Sequence, residues 1–113
     1  MPQWREITTH EEWLDVLEKS CERSVLVFKH STSCPISANA WKEFQSYLSG
    51  TPDENTEYVV VKVIESRDVS NAVANDLNVV HQSPQVLLIR NKKAVWDTSH
   101  RNITQSAIRQ ALG

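Results

Sequence analysis

Glycine is scarce in this chain, with two in 113 residues, and both stand where punctuation falls: Gly50 after a helical stretch and Gly113 at the end. Cysteine is equally scarce. Two thiols, Cys21 and Cys34, are too few for a disulfide scaffold or a cysteine-rich zinc site, and they fit a reducing compartment. Long apolar runs are absent. Val25 to Phe28, Tyr58 to Val61 and Val86 to Ile89 each stop at four residues, which excludes a transmembrane helix. Positive charge is not concentrated either. The net charge is −2, and the densest basic stretch, Arg90-Asn91-Lys92-Lys93, reads as a solvated hairpin tip, so nucleic acid is not an expected partner. Glu6, Glu11 and Glu12 break up the basic-then-apolar pattern of a secretory leader. The four histidines are scattered without ligand spacing, so no metal is expected. No repeat, low-complexity tract or linker divides the chain, so residues 1–113 are read as one cytoplasmic domain.

What is present is an alternation of strand and helix signals. Trp4 to Ile7 reads as a short edge strand. Thr9 and Glu12 have capping-box spacing, and the helix they open carries Trp13, Leu14, Leu17 and Cys21 as its apolar stripe. Ser24 to His30 is a buried strand. Pro35 sits in the first turn of the next helix, which buries Ile36, Ala40, Trp41, Phe44 and Leu48. Glu57 to Ile64 is a second buried strand. Ser66 caps a helix burying Val69, Ala72, Val73 and Leu77. Gln85 to Arg90 and Lys93 to Asp97 form a hairpin turned at Asn91-Lys92. Thr104 caps a last helix with Ile103, Ala107, Ile108, Ala111 and Leu112 apolar. Parallel strands with helical crossovers, followed by an antiparallel hairpin, make an α/β fold. It is a central mixed sheet of four to five strands with helices on both faces, the thioredoxin plan.

On that plan Cys34 follows a buried central strand and stands at a helix N-terminus. Free N–H groups and the positive helix end favour a thiolate there, and the thiolate is the form that attacks a disulfide. Pro35 contributes no N–H where none is needed. Ser37, one turn on, occupies the place of a second cysteine in a dithiol enzyme, and its hydroxyl is positioned to donate to the thiolate. No internal disulfide can then close the cycle. Cys34 takes a small thiol onto itself, and a second thiol releases it. Ser83-Pro84 precedes the hairpin, where a thioredoxin-like fold places a cis proline beside the reactive thiol, leaving the preceding backbone free to pair with a substrate strand.

Three stretches resemble the YtxJ-type monothiol bacilliredoxins: Lys29-His30-Ser31-Thr32-Ser33-Cys34-Pro35-Ile36-Ser37, His81-Gln82-Ser83-Pro84-Gln85, and Trp96-Asp97-Thr98-Ser99-His100 with Ile103-Thr104. The resemblance runs over essentially the whole length. It implies a thioredoxin-like fold and a cytoplasmic setting in bacteria that use bacillithiol. It also implies removal of bacillithiol from oxidised protein thiols, with Cys34 as nucleophile, bacillithiol as co-substrate and no bound cofactor. The Cys-Gly-Cys of other bacilliredoxins and the Cys-Gly-Phe-Ser of monothiol glutaredoxins are both absent.

The strand ends should gather His30, Glu65-Ser66-Arg67, His81 and the Ser99-His100-Arg101 loop around Cys34. Arg67, Arg101 or Lys29 is a candidate for the two malate carboxylates of bacillithiol, because cations pair with carboxylates. Thr32, in the loop before the thiol, is a further substrate-binding or tuning candidate. His30 or His100 could tune the thiol or protonate the leaving group. The bland alternatives are solvated cations and structural histidines. Cys21 reads as core filler, and Trp13, Trp41 and Trp96 as core. Two rivals to the enzyme stay open: a non-catalytic thioredoxin-like binding module, and a redox sensor that stores a thiol on Cys34. Thiol reactivity at mildly acidic pH separates the module from the enzyme, and turnover separates the sensor.

Overall fold

The computed structural model describes residues 3–112. The strands are β1 (Trp4–Glu6), β2 (Val25–His30), β3 (Glu57–Lys62), β4 (Gln85–Arg90) and β5 (Lys93–Ser99). The helices are α1 (His10–Lys19), α2 (Pro35–Ser49), α3 (Arg67–Leu77) and α4 (Gln105–Leu112), with a 3₁₀ turn at His100–Asn102. The five strands form one sheet in the order β1-β3-β2-β4-β5. β3 runs parallel to β1 and β2, while β4 is antiparallel to both β2 and β5.

The alternation of each strand builds two apolar layers. Val25, Val27, Val59, Val61, Leu87 and Ile89 face α1 and α3, where Trp13, Val16, Val69, Val73 and Leu77 complete the layer. Leu26, Phe28, Tyr58, Val60, Val86 and Leu88 face α2 and α4, meeting Ala40, Phe44, Leu48, Ile103 and Ile108. The helix starts follow their caps. Thr9 accepts from the Glu12 N–H at 3.1 Å while the Glu12 carboxylate takes back the Thr9 N–H at 3.2 Å. Thr104 Oγ1 accepts from the Ala107 N–H at 3.0 Å. Ser66 occupies the N-cap of α3 without a side-chain cap bond. At the hairpin tip Asn91 and Lys92 both have positive φ, the conformation of the tight turn that matches strand twist. The β4–β5 register slips between Leu88 and Ile89, a bulge that leaves Val95 without a partner.

Several sequence expectations change in detail. The return strand continues two residues past Asp97, because Thr98 and Ser99 pair with Val86 and Gln85. β3 ends at Lys62, and Ile64 lies outside it and exposed. In α1 the buried residues are Trp13 and Val16, with Leu17 at the margin, and Leu14 is exposed. Cys21 is exposed rather than core filler. The helix stops at Lys19, and Ser20 is claimed by the hairpin tip: its carbonyl accepts the Asn91 N–H at 2.8 Å and its hydroxyl the Lys92 N–H at 2.9 Å. The chain therefore turns outward before Cys21. In α2, Ser37 is buried and Ile36 is only half-buried, the reverse of the apolar pattern. Among the described residues no helix is long and apolar enough to cross a membrane.

Candidate active site

The sheet delivers four strand termini to one edge. His30 pairs with Lys62 at the ends of β2 and β3, and Lys29 with Gln85 where β4 begins. Ser99 pairs with the same Gln85 where β5 ends. Cys34 stands just beyond β2 as the N-cap of α2, half-buried, in extended backbone conformation, with its N–H donated to Ser31 O at 3.3 Å. Its carbonyl receives the first helical bond, from Ala38 N–H at 3.0 Å. Pro35 is the first helical residue, so the sulfur sits at the end of the helix where N–H groups lack intrahelical partners. Cys34 and Cys21 are both free. They occupy opposite ends of the sheet, since Cys21 adjoins the hairpin tip. β4 alone, from Gln85 to Arg90, spans about 17 Å at roughly 3.3 Å per residue. A disulfide requires Cα atoms within about 7 Å, so the folded chain cannot join the two.

Ser37 is placed differently from the expectation that its proton serves Cys34. Its Oγ accepts the Ser31 N–H at 2.9 Å and lies 2.8 Å from His30 Nδ1. Burial, and then Lys62, push the His30 pKa down against the opposite effect of Glu65. The neutral imidazole is favoured, and the Ser37 hydroxyl is engaged by His30 Nδ1 as well as by the Ser31 N–H. Trp41 stacks on the imidazole with centroids 4.9 Å apart, and Trp4 meets the edge of Trp41 at 5.1 Å. His30 and Ser37 thus fasten the loop that carries Cys34. Thr32 Oγ1 donates to Glu65 at 3.2 Å and links that loop to the end of β3.

Lys29 is not available to a carboxylate. It continues the Val25–Val27 face of β2 and is fully buried. Its Nζ donates to Ser70 O at 3.1 Å and lies 3.2 Å from His81 Nδ1. Desolvation lowers its pKa to about 8. Arg67 opens α3 and adds to the positive field on His81. Arg101 lines a cleft of about 170 Å³ at the start of α2 with Pro35, the residue after the thiol, and with Ile36 and Asn39. Ile36 and Asn39 were not singled out from the sequence; Ile36 was assigned to the core because its apolar side chain fits the helical period. His100 acts through its backbone. It has a φ of 55° and donates its N–H to Pro84 O at 3.0 Å.

The Ser83–Pro84 peptide bond is cis, and Pro84 is buried at the head of β4. Ser83 Oγ is the buried side-chain oxygen that lacks a hydrogen-bond partner among the described residues. Gln85, absent from the candidates, is buried behind this segment. Its side chain accepts the Gln82 N–H at 3.2 Å and donates to Val80 O at 3.2 Å. Its position in an apolar strand was the available signal. No cluster of three or more metal-ligating side chains occurs among the described residues.

A lone cysteine at the N-terminus of the helix after a central parallel strand, at the same sheet edge as a proline heading an antiparallel strand, defines a thiol-redox protein of the thioredoxin fold. A structure described as an oxidoreductase with a thioredoxin fold is 32% identical, with a TM-score of 0.85 over 97% of this chain and 94% of that one. The thioredoxin of Malassezia sympodialis shares the fold at 15% identity, with a TM-score of 0.78 over 99% and 90%. Mitochondrial thioredoxin 3 of Saccharomyces cerevisiae does so at 13% identity, with a TM-score of 0.72 over 95% and 91%. The chain belongs to the monothiol bacilliredoxin BrxC family, whose model matches residues 5–108.

Proposed function

We propose that this chain is a cytoplasmic monothiol oxidoreductase that removes bacillithiol from protein mixed disulfides through Cys34. The observation that carries the reading is the isolation of Cys34 at the start of α2. The second cysteine lies at the far end of the sheet, and the resolving position holds Ser37, whose hydroxyl is committed to Ser31 and His30. The reaction then needs only external thiols. The Cys34 thiolate attacks the bacillithiol sulfur of the mixed disulfide. That S–S bond breaks, a Cys34–bacillithiol disulfide forms, and the protein thiolate leaves and takes a proton from water. A second bacillithiol thiolate attacks the bacillithiol sulfur held on Cys34. Oxidised bacillithiol departs and the Cys34 thiolate is regenerated. Electrons balance without a bound cofactor.

The surroundings suit both substrates. Arg101, beside Pro35, Ile36 and Asn39, offers a guanidinium to the malate carboxylates of a cap held on Cys34. Ser83 Oγ, buried without a partner, offers a hydrogen bond to a protein chain lying along Pro84. The test is transfer of the cap from a bacillithiol-capped protein, followed by intact mass spectrometry with Cys34→Ala as control. Movement of the cap to Cys34, with release of the substrate thiol, is the expected result. If only a glutathione cap moves, the chemistry stands and the thiol is wrong. If neither moves, the binding module replaces the enzyme. A single stoichiometric transfer without turnover leaves the sensor.

A further inference from the structure

Lys29 and Gln85 are directly paired between β2 and β4, so their side chains leave the sheet on the same face. The rest of that face on β2 and β4 is aliphatic, and the two are 0% and 2% exposed. Burying an amine and an amide side by side costs desolvation that two apolar residues would not. Both side chains spend their hydrogen bonds on the same segment, residues 78–84. Gln85 takes the backbone of Val80 and Gln82. Lys29 reaches His81 Nδ1 while also donating to Ser70 O in α3, and Ser70 Oγ stands 3.5 Å from the same nitrogen. The ends of the segment are held separately, by Val79 N–H to Ala74 O at 3.1 Å and by His100 N–H to Pro84 O at 3.0 Å, so its middle depends on the Lys29 and Gln85 side chains. Val80, His81 and Gln82 are exposed, and clefts of about 450 Å³ and 320 Å³ flank them.

We infer that Lys29 and His81 form a positioning pair that holds the 78–84 segment, and with it Ser83 and Pro84, in place for a protein substrate, with Gln85 as the second anchor. The inference rests on the reading that the substrate chain lies along this segment. Its pH dependence follows from the groups that face His81: Lys29 from β2 and Arg67 from α3, both cationic. Burial first, then these two charges, lower the His81 pKa, so Nδ1 accepts from Lys29 at neutral pH. Acid protonates Nδ1, removes the acceptor and sets an imidazolium against two cations. The contact is therefore present at neutral pH and lost on acidification.

The test uses the full chain as wild type, Lys29→Met, His81→Leu and the double variant. Hydrogen exchange of peptides covering 78–84 is read by mass spectrometry and corrected for intrinsic rates. Each single variant is expected to speed exchange there about tenfold with the central strands unchanged, and the double no further, as for partners in one contact. With a bacillithiol-capped protein, KM should rise about tenfold while kcat and alkylation of Cys34 by a small reagent change less than about twofold. Wild-type exchange in the segment should accelerate on acidification, and His81→Leu, a surface change that spares the core, should lose that response. Unchanged exchange in both single variants, or effects that multiply in the double, overturns the pair. If the segment responds as stated but the wild type moves no cap, the pair stands and the thiol-transfer reading falls. If caps move but the segment does not respond, only the pair falls.

Discussion

The two ends of the sheet each place a free cysteine near a helix terminus, yet they are built differently. The end that carries Cys34 also carries the buried polar residues Lys29, Ser31, Ser37 and Gln85. At the other, Cys21 is exposed beside a hairpin tip fastened by the buried Ser20, and the buried Thr56 ties down the turn before β3 through Asp53. Buried polar groups are costly unless paired, and here they are paired to loops. Ser37 holds the Ser31 loop, and Gln85 and Lys29 hold the segment before Pro84. The end proposed to do the chemistry is the one where more of the buried residues are polar and hydrogen-bonded to loops.

The sharpest way to break this comparison is to exchange the two thiols' fates. Cys34→Ala should abolish cap transfer, a loss of at least about 10³-fold, as removing a nucleophile does. Cys21→Ala should leave the rate within about twofold. Loss of activity in the second variant would make Cys21 a participant and end the monothiol account. Next in size, Arg101→Glu should raise the apparent constant for bacillithiol about tenfold by placing a carboxylate against the malate, while Arg67→Glu changes it less than about twofold. Equal effects would take the cleft beside Ile36 out of the account. Alkylation of Cys34 separates this binding effect from damage to the thiol.

The structural halves of the comparison are smaller in effect. Ser37→Ala strands the buried Ser31 N–H and should cost about 1–3 kcal/mol in denaturant unfolding. Ser20→Ala frees an N–H at an exposed turn that water can satisfy, and should cost about 1 kcal/mol or less. Reversal of that order would mean that the loop before Cys34 is not fastened as described. A further effect is a pH dependence of stability. Lys29 titrates near 8 when folded and at the ordinary lysine value when unfolded. The unfolded chain therefore binds the extra proton between roughly pH 8 and 10, and stability rises with pH there. The melting temperature of wild type should gain on the order of ten degrees across that window relative to Lys29→Met. A flat difference would show that Lys29 is not buried as a charge.

The element order was legible because local signals carry it: the Thr9–Glu12 box, Pro35 in a first turn, the Asn91-Lys92 turn and strands of alternating or continuous apolar residues. So was the place of Cys34 between a buried strand and a helix. Ile36, Cys21 and Lys29 were misread for one shared reason. Each was assigned by residue type or by helical period, and periodicity does not say where a helix stops or which face a strand's last residue takes. Ser37 was placed one turn from Cys34, but its hydroxyl is engaged elsewhere. Its partner in the folded chain, His30, lies seven residues away in sequence.

By itself the sequence determined the strand and helix order, the single thiol at a helix start and the serine at the resolving position, because each depends on residues within a turn or two of one another. Tertiary structure alone decided that Cys21 and Cys34 lie at opposite ends of the sheet, that Lys29 is buried against His81 while Arg101 lines a cleft with Pro35 at the start of α2, and that Gln85 in β4 and His100 in the 3₁₀ turn brace the Ser83–Pro84 segment. Those facts join residues far apart in the chain, 52 positions in the case of Lys29 and His81. Strand register, helix ends and the two faces of a twisted sheet set such meetings, and no local preference encodes them.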